Sequence, residues 1–123
     1  LSDVVALVGD GGFAHSWAEI ETLVRMNIPI TIIVLNNGIL GFQKDAETVK
    51  FGAYTTACHF ANVDHGAIAR ACGCEAVYVS GPDQLITALA KIKSRTSPLL
   101  IEVKTDPDAH PALSLFAQMD SAA

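Results

Sequence analysis

The sequence predicts an α/β fold, an open doubly wound parallel sheet with helices on both faces. Four short apolar runs of strand length alternate with segments whose apolar residues recur at helical spacing. This alternation is typical of parallel strands joined by right-handed helical crossovers. The length of 123 residues corresponds to one ordinary domain, and the 50% apolar content excludes a disordered chain.

Composition also excludes several classes of function. The net charge is -5 and no cluster of Lys or Arg occurs, so we expect no nucleic-acid partner. No apolar run reaches the roughly 18 residues of a membrane span, so we expect no membrane association. Three cysteines is an odd number and no secretory leader precedes them, which favours a reducing, cytoplasmic location over a disulfide framework.

The first strand is predicted over Val4–Val8, a continuous apolar run that ends at Gly9. Such a run is expected of a strand buried on both faces. Because this strand begins so early and no initiator Met precedes it, we expect further chain upstream.

A helix and a second strand follow. The helix carries one apolar stripe, Ser16 and Glu19 have the spacing of a capping box, and Pro29 ends the helix before a strand over Ile30–Leu35. The stripe consists of Trp17, Ile20, Leu23 and Val24.

The stretch from Gly38 to Val63 shows no apolar period. Its 26 residues are too many for a plain connection, and such stretches are usually lids, binding loops or disordered segments. We expect a solvated, mobile lid whose exposed charges are Lys44, Asp45, Glu47 and Lys50.

The remaining elements are delimited by caps and prolines. Asp64 is predicted to cap a short helix closed by Gly73, and strands are predicted over Glu75–Val79 and Leu99–Val103. Between these strands, Ser80–Asp83 opens a helix whose core stripe is Leu85, Ile86, Leu89 and Ile92. We therefore expect one binding domain over residues 1–105 and a surface tail over residues 106–123.

Two polar motifs follow the first two strands. Gly9–Phe13 comes after the first strand, and Asn36–Gly38 comes after the second. A helix of about 12 residues runs roughly 18 Å away from the ligand edge, and the returning strand covers roughly 20 Å. Asp10 and Asn37 are therefore expected at the same edge of the sheet, where open parallel sheets bind ligands.

These motifs suit a phosphate held through a cation. The glycines let backbone N–H groups approach a ligand closely, and the positive end of the following helix favours a phosphate or diphosphate. The Asp10 carboxylate would repel a bare phosphate unless a cation lies between them. Carboxylate, amide and phosphate oxygens suit octahedral magnesium, and calcium fits the same ligand type.

The glycine motif also has a second interpretation. Gly9-x-Gly11-x-x-Ala14 matches a loose dinucleotide fingerprint, which would make the chain a non-catalytic dinucleotide-binding module. That fold calls for an acidic residue at the end of the second strand, where this chain has asparagines.

The cysteines and histidines lack the paired spacing of a zinc site, so we interpret them as structural, and His15 as packed or solvated. They are Cys58, His59, His65, Cys72 and Cys74.

Gly9-Asp10-Gly11, followed after 24 residues by Asn36-Asn37, resembles the cofactor motif of the thiamine-diphosphate enzymes. The segments Val5–Phe13 and Leu35–Gly41 are similar to the acetolactate synthase branch, and the likeness extends to about Thr105. Carried over residue by residue, the resemblance implies no catalytic side chain in this chain. It implies Asp10, Asn37 and the Ile39 carbonyl as magnesium ligands, and it implies diphosphate contacts from Gly9, Asp10, Gly11, Gly12, Asn37, Ile39, Leu40 and Gly41.

The resemblance also implies an activity and partners. It implies decarboxylation and carboligation of a 2-oxo acid, with another 2-oxo acid decarboxylase, an oxalyl-CoA decarboxylase or glyoxylate carboligase as alternatives. In the family a glutamate on a separate pyrimidine-binding domain activates the cofactor where two subunits meet. No segment here resembles that domain, so this chain alone is expected to be inactive. A homodimer or homotetramer is expected of the intact protein, and the resemblance also allows for FAD in a structural role, bound outside these residues.

Overall fold

A computed structural model describes residues 3–109 of the chain. Four strands and five helices occur in that range, together with one short 3-10 turn at Thr56–Cys58. In chain order they are β1 (Val4–Gly9), α1 (Asp10–Phe13), α2 (Glu19–Arg25), β2 (Ile30–Asn36), α3 (Gly41–Phe51), α4 (His65–Ala71), β3 (Glu75–Val79), α5 (Pro82–Leu89) and β4 (Leu99–Lys104).

The chain divides into two compact units. The first comprises Leu1–Asn36 and Asp64–Thr105, and the second comprises Asn37–Val63 and Asp106–Ala123, as far as these ranges are described. The first unit contains the sheet, and the second contains α3 and the 3-10 turn. Most of the predicted tail lies outside the described residues, so its boundary at residue 105 stays a prediction.

The sheet is parallel throughout, in the order β1-β2-β4-β3. Gly9 at the end of β1 is in register with Leu35 near the end of β2. Farther along the sheet, Asn36 is in register with Lys104 at the end of β4. The predicted parallel α/β class is confirmed, and the strands end together at one edge.

Helices cover both faces of this sheet, and each face has its own apolar cluster. On one face, residues of α1, α2 and α4 pack against Ile32, Val34 and Leu100. On the other face, Ala88 of α5 packs with Val79, Leu99 and Ile101. No helix in the described part of the chain is long and apolar enough to cross a bilayer.

The burial predicted for β1 is wrong. Although the strand is apolar, Leu7 is 65% exposed and Val4 and Val5 are exposed as well. Leu7 is in register with Ile33, which packs on the cluster under α5. Because β1 is the edge strand farthest from β3, where α5 packs, that cover does not extend to it.

The start of α2 also differs from prediction. The helix begins at Glu19, and its cap residue Ala18 makes no side-chain capping bond. Ser16 instead donates its hydroxyl to the carbonyl of Phe13, 3.3 Å away, at the end of α1. The expected capping box is absent because the Ser16 hydroxyl bonds to a carbonyl at the end of α1 and not to the start of α2.

The α5 stripe is partly wrong. Leu85 and Ile92 pack in the core as predicted, with Ala88 between them. Ile86 is 69% exposed and Leu89 is exposed too. Positions 85, 88 and 92 follow the helical period as well as the predicted set does, and the small Ala88 side chain lets the helix approach the sheet.

The cap of α4 is confirmed. The side chain of Asp64 accepts a hydrogen bond from the backbone N–H of Ala67 at 2.6 Å, and Gly73 beyond the helix has a φ of 86°. Only glycine adopts that backbone conformation without strain. The two signals that predicted this helix therefore have the physical role assigned to them.

We expect Asp64→Ala to lower the free energy of unfolding by about 1 kcal/mol, because the N–H of Ala67 loses its acceptor. Chemical denaturation monitored by circular dichroism measures the loss. Asp64→Asn is the matched control, since asparagine caps equally well and leaves stability near that of the wild type. An equal loss in both variants would assign the effect to the exposed ion pair of Asp64 with Arg70 instead.

Candidate functional site

The glycine motif forms a tight strand-to-helix turn in the first unit. β1 ends at Gly9, and Asp10 begins the single helical turn α1, which ends at Phe13 in the core. A Cβ atom at Gly9 or Gly12 would meet no other atom within 4 Å. The turn therefore presents its backbone to open space, as a ligand cradle requires.

Asp10 lies at the start of that turn with its carboxylate held to the backbone. The residue is 6% exposed, and its Oδ1 accepts the N–H of Gly11 at 2.9 Å. A carboxylate can accept from several partners at once, so the bond to Gly11 is compatible with metal coordination. Burial of a carboxylate at a strand end, beside a backbone open to a ligand, fits a cation-binding role.

The end of β2 lies next to this turn. Gly9 pairs with Leu35, so Asp10 and Asn36 each come directly after a paired position on neighbouring strands. This confirms that the first asparagine of the motif reaches the same edge as Asp10. The joint binding of one metal ion by Asp10 and Asn37 stays a prediction.

The second half of the motif is a compact turn in the second unit. Asn37 Oδ1 accepts the N–H of Ile39 at 3.1 Å, and Gly38 between them has a φ of 71°. A Cβ at Gly41 would come within 3.3 Å of the Asn37 amide nitrogen, a tight contact that the Asn37 side chain would have to relieve. The amide oxygen of Asn37 keeps a second lone pair beyond its bond to Ile39.

A neighbouring segment of the same unit braces this turn. Ile39 forms an isolated antiparallel bridge with His59, and Leu40 donates its N–H to the carbonyl of Cys58 at 2.8 Å. Ile39 itself is buried, whereas Leu40 is exposed just before α3 begins at Gly41. The residues expected to contact the cofactor are thus ordered by contacts within their own unit.

The expectation of an irregular lid is wrong, because Gly41–Phe51 forms the helix α3. Its inward positions follow helical spacing, but polar residues occupy them. Lys44 is 8% exposed and Asp45 is 2% exposed, so neither belongs to a solvated face. A search for apolar periodicity misses a helix whose buried stripe is charged.

Lys44 is buried, although its hydrogen-bond partners lie at the surface. Its ammonium donates to the Pro107 carbonyl at 3.0 Å and to the Asp108 carboxylate at 2.8 Å, and that bond to Asp108 raises the pKa of Lys44. Asp45 Oδ1 lies 3.9 Å from the same ammonium. Pairing offsets the cost of burying these charges.

The remaining candidate metal ligands are dispersed. In residues 3–109 no three His, Cys, Asp or Glu side chains are grouped as a metal site would require. Cys58 lies 3.8 Å from the Glu47 carboxylate, and Cys74 donates to the carbonyl of Glu75. Burial raises the pKa of the Cys74 thiol, which keeps it protonated and unreactive.

A buried polar group near the strand ends was not predicted from the sequence. Glu102 on β4 accepts hydrogen bonds from Asn36 at the end of β2 and from Gly66 in α4, and it contacts His65 as well. One signal was available, because Glu102 is a charged residue inside the otherwise apolar run of β4. Charged residues are almost never buried unless they are paired.

The comparisons with known proteins agree with this geometry. Residues 1–103 match the family model described as "Thiamine pyrophosphate enzyme, C-terminal TPP binding domain". This chain belongs to the thiamine pyrophosphate enzyme family. Thiamine pyrophosphate is another name for thiamine diphosphate, so the family predicted from the two motifs is confirmed.

Curated relatives in the family include synthases and lyases. The acetolactate synthase large subunit IlvG of Mycobacterium tuberculosis is 35% identical over 115 residues, which are 93% of this chain and 21% of that protein. The 2-hydroxyacyl-CoA lyase of Arabidopsis thaliana is 34% identical over 111 residues, which are 86% of this chain and 19% of that protein. The chain thus spans about a fifth of the length of these relatives.

Solved structures in the family include decarboxylases. The benzoylformate decarboxylase of Polynucleobacter necessarius superposes with a TM-score of 0.81 at 26% sequence identity, over 88% of this chain and 20% of that one. The 4-hydroxybenzoylformate decarboxylase of Rhodococcus jostii RHA1 gives a TM-score of 0.80. The cofactor-binding fold is therefore shared across family members whose names denote different reactions.

Proposed function

We propose that this chain binds the diphosphate group of thiamine diphosphate through magnesium, in an acetolactate synthase-like enzyme that acts on 2-oxo acids. The observation that carries the proposal is the buried Asp10 carboxylate, which follows β1 directly beside the end of β2 at Asn36. Membership of the thiamine pyrophosphate enzyme family supports the choice of ligand.

The proposed metal ligands are the side chains of Asp10 and Asn37 and the carbonyl of Ile39. All three donors are oxygens, one of them anionic, which suits magnesium bridged to phosphate oxygens. Backbone groups of Gly9, Gly11 and Gly12 would contact the diphosphate, and the turn faces open space at Gly9 and Gly12. Leu40 and Gly41 would close over it.

When bound, the cofactor supplies an electron sink for cleavage of the bond beside a substrate carbonyl. The role of this chain is then to hold the diphosphate and to neutralise its charge through the metal. Asp10 contributes the negative charge that a divalent cation needs. The backbone N–H groups of the glycine turn contribute donors to the phosphate oxygens.

A second candidate is a lyase or decarboxylase acting on a related substrate. The 2-hydroxyacyl-CoA lyase relative favours it, since its identity to this chain nearly equals that of the synthase. A simple 2-oxo acid decarboxylase, an oxalyl-CoA decarboxylase and glyoxylate carboligase share the same cofactor chemistry. A dinucleotide-binding module is disfavoured, because Asn36 ends β2 where an acidic residue would hold a ribose.

The proposal extends to partners and location. A pyrimidine-binding domain, from the same or a neighbouring subunit, would supply the carboxylate that activates the cofactor, within a homodimer or homotetramer in the cytoplasm. The support is the short span of this chain relative to its relatives, about a fifth of their length. Binding of FAD stays a prediction for segments other than these residues.

We expect Asp10→Asn to abolish magnesium-dependent binding of thiamine diphosphate by the full-length protein. The substitution removes the negative charge on the proposed metal ligand while keeping an acceptor for the N–H of Gly11. Isothermal titration calorimetry with thiamine diphosphate, in the presence and absence of magnesium, measures the effect.

Glu75→Gln is the control for Asp10→Asn. It also removes one carboxylate from the sheet, but at the start of β3, where the partner is Arg95. We expect it to bind like the wild type. Wild-type affinity in Asp10→Asn would show that the metal site is misassigned, and titration with NAD separates the dinucleotide-binding alternative.

We expect the 123-residue chain by itself to release no carbon dioxide from pyruvate, even with thiamine diphosphate and magnesium. General acid–base assistance of the kind assigned to the missing carboxylate is typically worth about 100- to 10,000-fold in rate. Coupled assay of carbon dioxide release, compared with the full-length protein, measures this. A rate near that of the full-length protein would overturn the need for a separate pyrimidine-binding domain.

A further inference from the structure

A buried carboxylate, that of Glu102, lies in the second half of β4 and contacts the end of β2. Glu102 is only 2% exposed. The three residues that precede it in the strand are also fully buried, but they are apolar. Replacing such a buried charge with a well-packed apolar residue is often neutral or stabilising. Packing alone therefore gives no reason for a carboxylate at this position.

Three polar partners surround Glu102, and they come from two other elements. Asn36 Nδ2 at the end of β2 donates to Oε1 at 2.7 Å. At the start of α4, His65 Nδ1 lies 2.9 Å from the same oxygen, and the Gly66 N–H donates to Oε2 at 3.0 Å. With Nδ1 as the protonated nitrogen, the histidine is a third donor to the carboxylate.

Asn36 is held at two points from the end of β4. Its side chain is bonded to Glu102, and its carbonyl accepts the N–H of Thr105 at 2.9 Å. That carbonyl belongs to the planar peptide unit joining Asn36 to Asn37. The bond to the carbonyl therefore restrains the plane in which the chain leaves β2, and the bond to Glu102 restrains the Asn36 side chain.

The same cluster reaches the glycine turn through the imidazole ring. His65 is 3% exposed, and its ring centroid lies 5.8 Å from that of Phe13, the last residue of α1. The ring also makes an edge contact with Trp17, at 6.0 Å between centroids. Glu102 is thus connected to the end of β2 and, through His65, to the last residue of α1.

We propose that Glu102 is a positioning residue for magnesium–diphosphate binding, acting through Asn36 at the end of β2 and through His65 and Phe13 on the glycine turn α1. This inference rests on the proposed function. Outer groups that orient metal ligands typically change metal affinity by about 10- to 100-fold when they are substituted. Glu102 itself touches neither metal nor cofactor in this proposal.

The test is a double-mutant cycle of Glu102→Ala, Asn36→Ala and the combined variant in the full-length protein. Calorimetry gives the Kd for magnesium at a fixed concentration of thiamine diphosphate, and thermal melting gives stability. We expect each single variant to bind magnesium about 10- to 100-fold more weakly. We expect the combined variant to bind about as weakly as Glu102→Ala alone, because Glu102→Ala already removes the hydrogen bond that Asn36→Ala removes.

Glu75→Ala is the control, an exposed carboxylate at the opposite end of a strand in the same sheet. A merely structural role would lower the melting temperature and leave Kd unchanged, which overturns the inference, as do additive losses of affinity.

If Glu102→Ala does not fold, Asn36→Ala decides alone, since it retains the buried carboxylate with His65 and Gly66. Wild-type protein that binds no magnesium–diphosphate would defeat the proposed function, whereas binding lost in Asp10→Asn and unchanged in Asn36→Ala defeats this inference alone.

Discussion

Parallel pairing between β1 and β2 makes the chain leave both strands at the same edge of the sheet. Gly9 is in register with Leu35, so Asp10 and Asn36 follow on adjacent strands although 25 residues separate them in sequence. The crossover through α2 makes this possible, because a helix returns the chain to start a second parallel strand. The glycine turn, the asparagine pair and the carboxylate beneath them all depend on that alignment.

Charged side chains are buried in both units of this molecule. Glu102 in the first unit and Lys44 in the second are both almost fully buried, and each is satisfied by partners distant in sequence. Removing one partner from such a group leaves an uncompensated charge, which is costly. These positions therefore specify one arrangement of their surroundings more strictly than apolar side chains would.

Relatives with different names share this domain. Synthase, lyase and decarboxylase all match the chain, and each match covers about a fifth of the relative's length. The proposed site would bind a diphosphate and a metal, tasks that every reaction with this cofactor requires. Relatives named for different reactions therefore share one fold, in agreement with the general separation of fold and function.

The sequence by itself determined the strands, the α/β class, the cap at Asp64 and the two cofactor motifs, because apolar runs, capping residues and glycine turns are local signals. Only the tertiary structure decided that β1 is an exposed edge, that Ala88 replaces Ile86 in the core and that Gly41–Phe51 is helical. It also decided that Glu102 meets Asn36 across 66 positions of sequence. Each of these depends on which surfaces and charges meet after folding, and a polar stripe is buried only when distant partners satisfy it.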